Sequence, residues 1–181
     1  MKKILIIALI MFSFLNNTNA SYEQLAHEFS FKSIDGGEIN LQNFKENVIV
    51  VVNVASRCGF TSQYEDLQNL WSNYKDKNLI VIGVPTNNFK QEPGSNKEIK
   101  DFCETNFNID FPMTEKMDVI GKNSHPFFTW AKENHGRNAI PKWNFHKIII
   151  GKDGKVVDTF ASITKPSSKK FIDLIEKEIK N

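Results

Sequence analysis

The chain has 181 residues, 23 Lys and Arg against 21 Asp and Glu, a formal net charge of +2, and two cysteines. That length fits one domain with a core of its own. A charge so close to balance gives no electrostatic case for a nucleic-acid or membrane-surface partner, and the scattered lysines and acids read as solvated faces.

The chain opens on Lys2 and Lys3, followed by an apolar run from Ile4 to Leu15 that ends on the small residue of Thr18-Asn19-Ala20. This is the pattern of a cleaved secretory signal peptide over residues 1–20. The run is shorter than the roughly 20 residues of a membrane-spanning helix, and no cysteine stands at the cut to carry a lipid anchor. Residues 21–181 then form one exported domain, periplasmic or secreted, and the loss of Lys2 and Lys3 brings its basic and acidic side chains into balance. Two cysteines in an oxidising compartment commonly form a disulfide. A domain of this size does not need such a staple.

Phe29 to Leu41 reads as a β-hairpin turning at Asp35-Gly36-Gly37. "VIVVVNVA", Val48 to Ala55, is a β-branched apolar run of the kind buried on both faces of a sheet. The segment after it places Tyr64, Leu67, Leu70, Trp71 and Tyr74 at helical spacing, and Leu79 to Pro85 forms a second buried strand. After a polar loop, Ser95 and Glu98 make a capping box for a helix that carries Cys103. "HPFFTWAKEN" is a short helix, and "WNFHKIIIGKDGKVVDTFAS" a hairpin around Lys152-Asp153-Gly154. Pro166 leads into a closing amphipathic helix with Ile172, Ile175 and Ile179 on one face.

That order predicts an α/β fold: a thioredoxin-like three-layer sandwich with a central mixed β-sheet and an N-terminal β-hairpin. Cys58 would then leave the carboxyl end of a central strand, where open α/β sheets place their ligand sites. A thiolate facing a helix N-terminus is stabilised, which lowers the pKa of the thiol. Arg57 stands beside it, Gly59 permits a tight turn, and Thr61 or Ser62 can cap the helix. Cys58 is either a reactive nucleophile or half of a structural disulfide, and the local stretch leaves both open. There is no C-x-x-C pair, no zinc pattern among His27, His125, His135 and His146, and no phosphate-binding loop, so neither a metal nor a cofactor is called for.

Three segments in order, "NVASRCGFT", "NNFKQEPGSNKEI" and "WNFHK", resemble the glutathione peroxidase family in its cysteine-containing form, and the resemblance extends to "ITKPSS" near the end of the chain. It implies a thiol peroxidase in which Cys58 attacks the peroxide, with Gln91, Trp143 and Asn144 completing the catalytic group. Cys103 lies where the two-cysteine, thioredoxin-dependent-like branch places the thiol that resolves the resulting sulfenic acid. The implied partners are hydrogen peroxide or an organic hydroperoxide and a thiol reductant, a thioredoxin-like protein or glutathione. Relay of the oxidised state to a partner protein is the alternative use of the same thiol. The chain departs from the family pattern at Thr86 and Asn88, and only Lys90 separates Phe89 from Gln91. A short stretch between Trp130 and Trp143 lacks the insertion of tetrameric members and implies a monomer.

Overall fold

A computed structural model describes residues 23–181, so the N-terminal signal pattern lies outside the described residues. Ten elements follow in order: β1 (Ser30–Lys32), β2 (Glu38–Asn40), β3 (Val48–Val54), α1 (Gln63–Tyr74), β4 (Leu79–Pro85), α2 (Asn96–Phe107), α3 (Pro126–His135), β5 (Lys147–Ile150), β6 (Val156–Phe160) and α4 (Lys169–Lys180). β1 and β2 form the N-terminal hairpin, with Gly36 and Gly37 at positive φ in its turn. The main sheet has the order β4-β3-β5-β6. β3 pairs parallel with β4 from Val48↔Leu79 to Val54↔Pro85 and antiparallel with β5, which pairs antiparallel with β6. This is the mixed thioredoxin-type sheet expected from the sequence.

The seven residues of β3 are all buried, because both faces of the sheet are covered. Val48, Val50, Val52 and Val54 pack with Leu67 and Leu70 of α1, Ile99 and Cys103 of α2, and Phe171 and Ile175 of α4. Ile49 and Val51 belong to the other core, with Phe127, Phe128 and Trp130 of α3 and Phe31 and Ile39 of the hairpin. The alternation of a strand thus divides one apolar run between two helical layers. Each fully buried valine or isoleucine contributes roughly 1.5–3 kcal/mol.

Local chemistry sets the helix ends. Ser95 opens α2 as the capping box requires: its hydroxyl accepts from Glu98 N–H at 3.3 Å, and the Glu98 carboxylate accepts from Ser95 N–H at 2.7 Å. Asn108, in the left-handed region at φ 51°, closes α2, its N–H bonding Glu104 O at 3.0 Å. The α3 cap is His125, whose Nδ1 accepts from Phe127 N–H at 3.3 Å, with Pro126 as the first helical residue. Among the described residues, no helix is long and apolar enough to cross a membrane.

Because α2 starts on this reciprocal pair, Ser95→Ala should lower stability by about 1 kcal/mol. In urea unfolding, the midpoint should fall while the slope stays constant.

Candidate active site

Topology brings four loops to one end of the sheet. β3 and β4 are parallel, so residues 55–62 and 86–92 leave from the same edge. β5 runs antiparallel to β3, with Val52 opposite Lys147, so residues 143–146 arrive there. Lys147 pairs in turn with Phe160, which places the loop after β6 at the same end.

Cys58 sits in a run of turns between β3 and α1, 8% exposed. The Thr61 hydroxyl accepts from Cys58 N–H and donates to Ala55 O, both at 3.0 Å, and Phe60 N–H meets the Cys58 sulfur at 3.4 Å. This corrects the expected geometry. α1 begins at Gln63, so Cys58 lies ahead of its first turn and meets a loop amide instead. Neither Thr61 nor Ser62 caps the helix: Thr61 closes the cysteine loop, and Ser62 stands at the cap position without a side-chain bond.

The loop after β4 is fastened to this segment twice. Arg57 N–H donates to Gln91 O at 3.0 Å. The buried Glu92 carboxylate accepts from Ser56 N–H at 2.7 Å and from Ser56 hydroxyl at 2.8 Å. Burial raises the Glu92 pKa, and the Ser56 bonds pull it back. Lys90 lies at φ 59°, a left-handed turn, and with the shortened Phe89-Lys90-Gln91 spacing Gln91 meets the main chain of Arg57.

Residues 143–146 are held by Asn53 of β3. Asn53 Nδ2 donates to Trp143 O at 3.1 Å, and Asn53 Oδ1 accepts from His146 N–H at 3.2 Å. The main chain adds Phe145 N–H to Asn53 O at 2.6 Å and Asn53 N–H to His146 O at 3.2 Å. Phe145 is forced to φ 62°. Asn144 is fully buried and donates through Nδ2 to Gln91 Oε1 at 2.8 Å, while its Oδ1 is buried without a partner.

The structure therefore brings Gln91 and Asn144 into direct contact and sets Gln91 against the residue before Cys58. Trp143 lies at the rim, 41% exposed, with its ring 5.5 Å from that of Phe89. It lines a cleft with Lys142, His146, Asp158 and Ser162. Cys103 is away from the mouth, 2% exposed on α2, in the same buried cluster as Cys58, and both thiols are free. Burial pushes the Cys103 thiol up to about 11, against the pull of the Tyr64 hydroxyl that faces it.

Sequence reasoning overlooked Asn53, Glu92 and the buried pair His146 and Lys147. The available signal was a polar residue inside an apolar strand: Asn53 in "VIVVVNVA" and Lys147 at the head of "KIII". His146 is held neutral. Its pKa is pushed down to about 4 by burial first, then by Lys147 and Lys142, and its Nε2 is buried without a partner.

A thioredoxin-type sheet with a cysteine in the loop that leaves central strand β3, and a second free thiol in the same buried cluster, has the makings of a thiol-based redox protein. The comparisons narrow the class. The family model for glutathione peroxidase matches residues 26–132. The chain is 43% identical over 147 residues to hydroperoxy fatty acid reductase gpx1 of Synechocystis, covering 76% of this chain and 87% of that one. It is 41% identical over 147 residues to glutathione peroxidase-like peroxiredoxin 2 of Saccharomyces cerevisiae, covering 78% and 90%. The crystal structure of Trgpx matches with a TM-score of 0.69 at 32% identity, over 87% of this chain and 97% of that one. The chain belongs to the glutathione peroxidase family, in its cysteine-based form, and is a thiol peroxidase acting on hydroperoxides.

Burial of neutral His146 has a pH consequence. Below its ordinary pKa of 6.5 the unfolded chain takes up a proton that the folded chain refuses until about 4. Stability should therefore fall as pH drops from 6.5 toward 4, by up to roughly 3 kcal/mol. Urea midpoints across that window should show a shallower acid slope for His146→Gln than for the parent.

Proposed function

We propose that the chain is an exported, monomeric peroxidase in which Cys58 is the attacking thiol and Cys103 resolves the product. The Cys58 thiolate attacks one peroxide oxygen, the O–O bond breaks, and the second oxygen leaves as water or alcohol after taking a proton. Cys58 becomes a sulfenic acid. Gln91 and Asn144 present neutral amides, and Trp143 an indole N–H, to the thiolate and the departing oxygen. Such donors stabilise developing charge without introducing a competing cation. The observation that carries this reading is the Asn144–Gln91 bond at 2.8 Å beside the Arg57–Gln91 tie, which gathers the amides next to the cysteine loop.

In the second step the Cys103 sulfur attacks the Cys58 sulfenic acid, forming a disulfide and releasing water. A thiol reductant, a thioredoxin-like protein or glutathione, then returns both cysteines to thiols. The two sulfurs must approach to about 2.05 Å, and a thiol raised to about 11 must reach a less buried setting to ionise. Opening of the last turns of α2 would supply that setting. Hydrogen peroxide and organic hydroperoxides are the substrates of this reading. Export rests on the pattern of residues 1–20, and the monomer on the short stretch between Trp130 and Trp143.

Cys58→Ser should lose peroxide reduction while keeping the fold. Turnover near the parent rate would remove Cys58 from the reaction.

Cys103→Ser should consume one equivalent of peroxide, lose turnover with thioredoxin, and accumulate sulfinic acid at Cys58. Peptide mass spectrometry after peroxide treatment reads this directly. Sustained turnover without overoxidation would exclude Cys103 as the resolving thiol.

A further inference from the structure

Lys147 is an unusual way to begin a core strand. Its side chain is fully buried, and none of the ion pairs among the described residues includes it. Nζ donates to Gln63 Oε1 at 2.5 Å and to Thr164 O at 2.7 Å. Gln63 is itself buried and donates through Nε2 to Ser162 O at 2.6 Å. Burial pushes the ammonium down to about 7, with Asp66 opposing the shift. Desolvating a charge in such a place costs several kcal/mol, and an apolar side chain of the same length would fill the space without that cost.

What the bond connects is informative. Gln63 is the first residue of α1, five residues after Cys58, and Lys147 lies four residues after Trp143. Other ties join the remaining loops: Ser56 to Glu92, Arg57 to Gln91, and Gln91 to Asn144, while Asn53 holds the Trp143–His146 turn from the β3 side. Lys147 to Gln63 closes a ring through the loops that carry Cys58, Gln91 and the Trp143–Asn144 turn. It is the tie that meets this ring on the α1 side.

We propose that Lys147, acting through Gln63, is a positioning residue of the peroxidase reaction, holding the Cys58 loop and the Trp143–Asn144 turn in fixed relation. This rests on the reading of Cys58 and Trp143 given above. Lys147 touches no reacting atom in this role. Its effect is on where the indole and amide donors stand when the peroxide oxygen departs.

The test replaces the ammonium with a side chain of similar length, Lys147→Met, and measures three quantities: the second-order rate of Cys58 oxidation by hydrogen peroxide, the rate of Cys58 alkylation by iodoacetamide, and the urea midpoint. The oxidation rate should fall by between about tenfold and 10²-fold, the scale of a small misplacement of reacting groups. The midpoint should change little, because relief of the buried ammonium offsets the loss of a donor to Gln63 Oε1 and Thr164 O, and alkylation, read at a pH where Cys58 is fully ionised and so independent of the departing-oxygen donors, should change less than about twofold. In a Trp143→Ala background, Lys147→Met should cost clearly less than it does alone, because no indole remains to be misplaced. A peroxide rate equal to the parent, or a loss of the same size in both backgrounds, overturns the proposal. If Lys147→Met does not fold, the paired Gln63→Met/Lys147→Met protein, which removes the orphaned Gln63 amide oxygen and leaves only the main-chain carbonyls of Thr164 and Ser162 without these donors, is judged by the same criteria. Cys58→Ser separates the two levels: if it keeps turnover, the underlying reading fails, whereas an inactive Cys58→Ser beside a Lys147→Met protein with the parent rate overturns this inference alone.

Discussion

Asn53 commits every polar group it has to three residues of another segment, Trp143, Phe145 and His146. Its main-chain N–H and C=O and both ends of its side-chain amide bind the turn from Trp143 to His146. An asparagine in the middle of a buried strand has no water to fall back on, so each unmet bond would carry a desolvation cost of about 1–3 kcal/mol. That cost makes the arrangement specific. The turn has one docking position on β3, and Asn144 is thereby delivered to Gln91.

The site is assembled against the ordinary preferences of the chain. Phe145 and Lys90 hold left-handed backbone at φ 62° and 59° without being glycine, each at a cost on the order of 1–3 kcal/mol. Glu92 and Lys147 are ionisable side chains taken out of water, and the Oδ1 of Asn144 is left buried and unpaired. The compensation is apolar. β3, β4 and β5 are covered on both faces by the helices and the hairpin, so a well-packed sheet carries a polar rim that would not be stable alone. These residues lie at the loop end of that sheet, while Glu46, Asn78 and Asn108 hold left-handed backbone elsewhere.

The scaffold was legible because its signals are local. Val48 to Val54 could only be a doubly buried strand, Ser95 and Glu98 announced the start of α2, and Asp35-Gly36-Gly37 announced a turn. Cys58, Gln91, Trp143, Asn144 and Cys103 were reached through long motifs that resemble a family, and the structure adds how Gln91 and Asn144 meet. The ties between loops were not legible. Asn53 to Trp143 and Gln63 to Lys147 span 90 and 84 positions, and no periodicity or propensity encodes a partner at that distance. The cap of α1 shows the same limit: Ser62 stands at the cap position without a side-chain bond, and tertiary closure of the cysteine loop claims the Thr61 hydroxyl.

The exposure of Trp143 has an optical consequence. The chain has three tryptophans. Trp130 is buried in the α3 core, with its indole N–H bonded to Gln24 O, and Trp71 is packed half-buried against both cores. Trp143 alone faces solvent to a large extent, against Phe89 and in a cleft with His146 and Ser162. Its emission is the one most open to water and to changes at the rim, while Trp130 supplies a shielded background. The protein thus has a native fluorophore at an open cleft, one that can follow changes there without an attached dye.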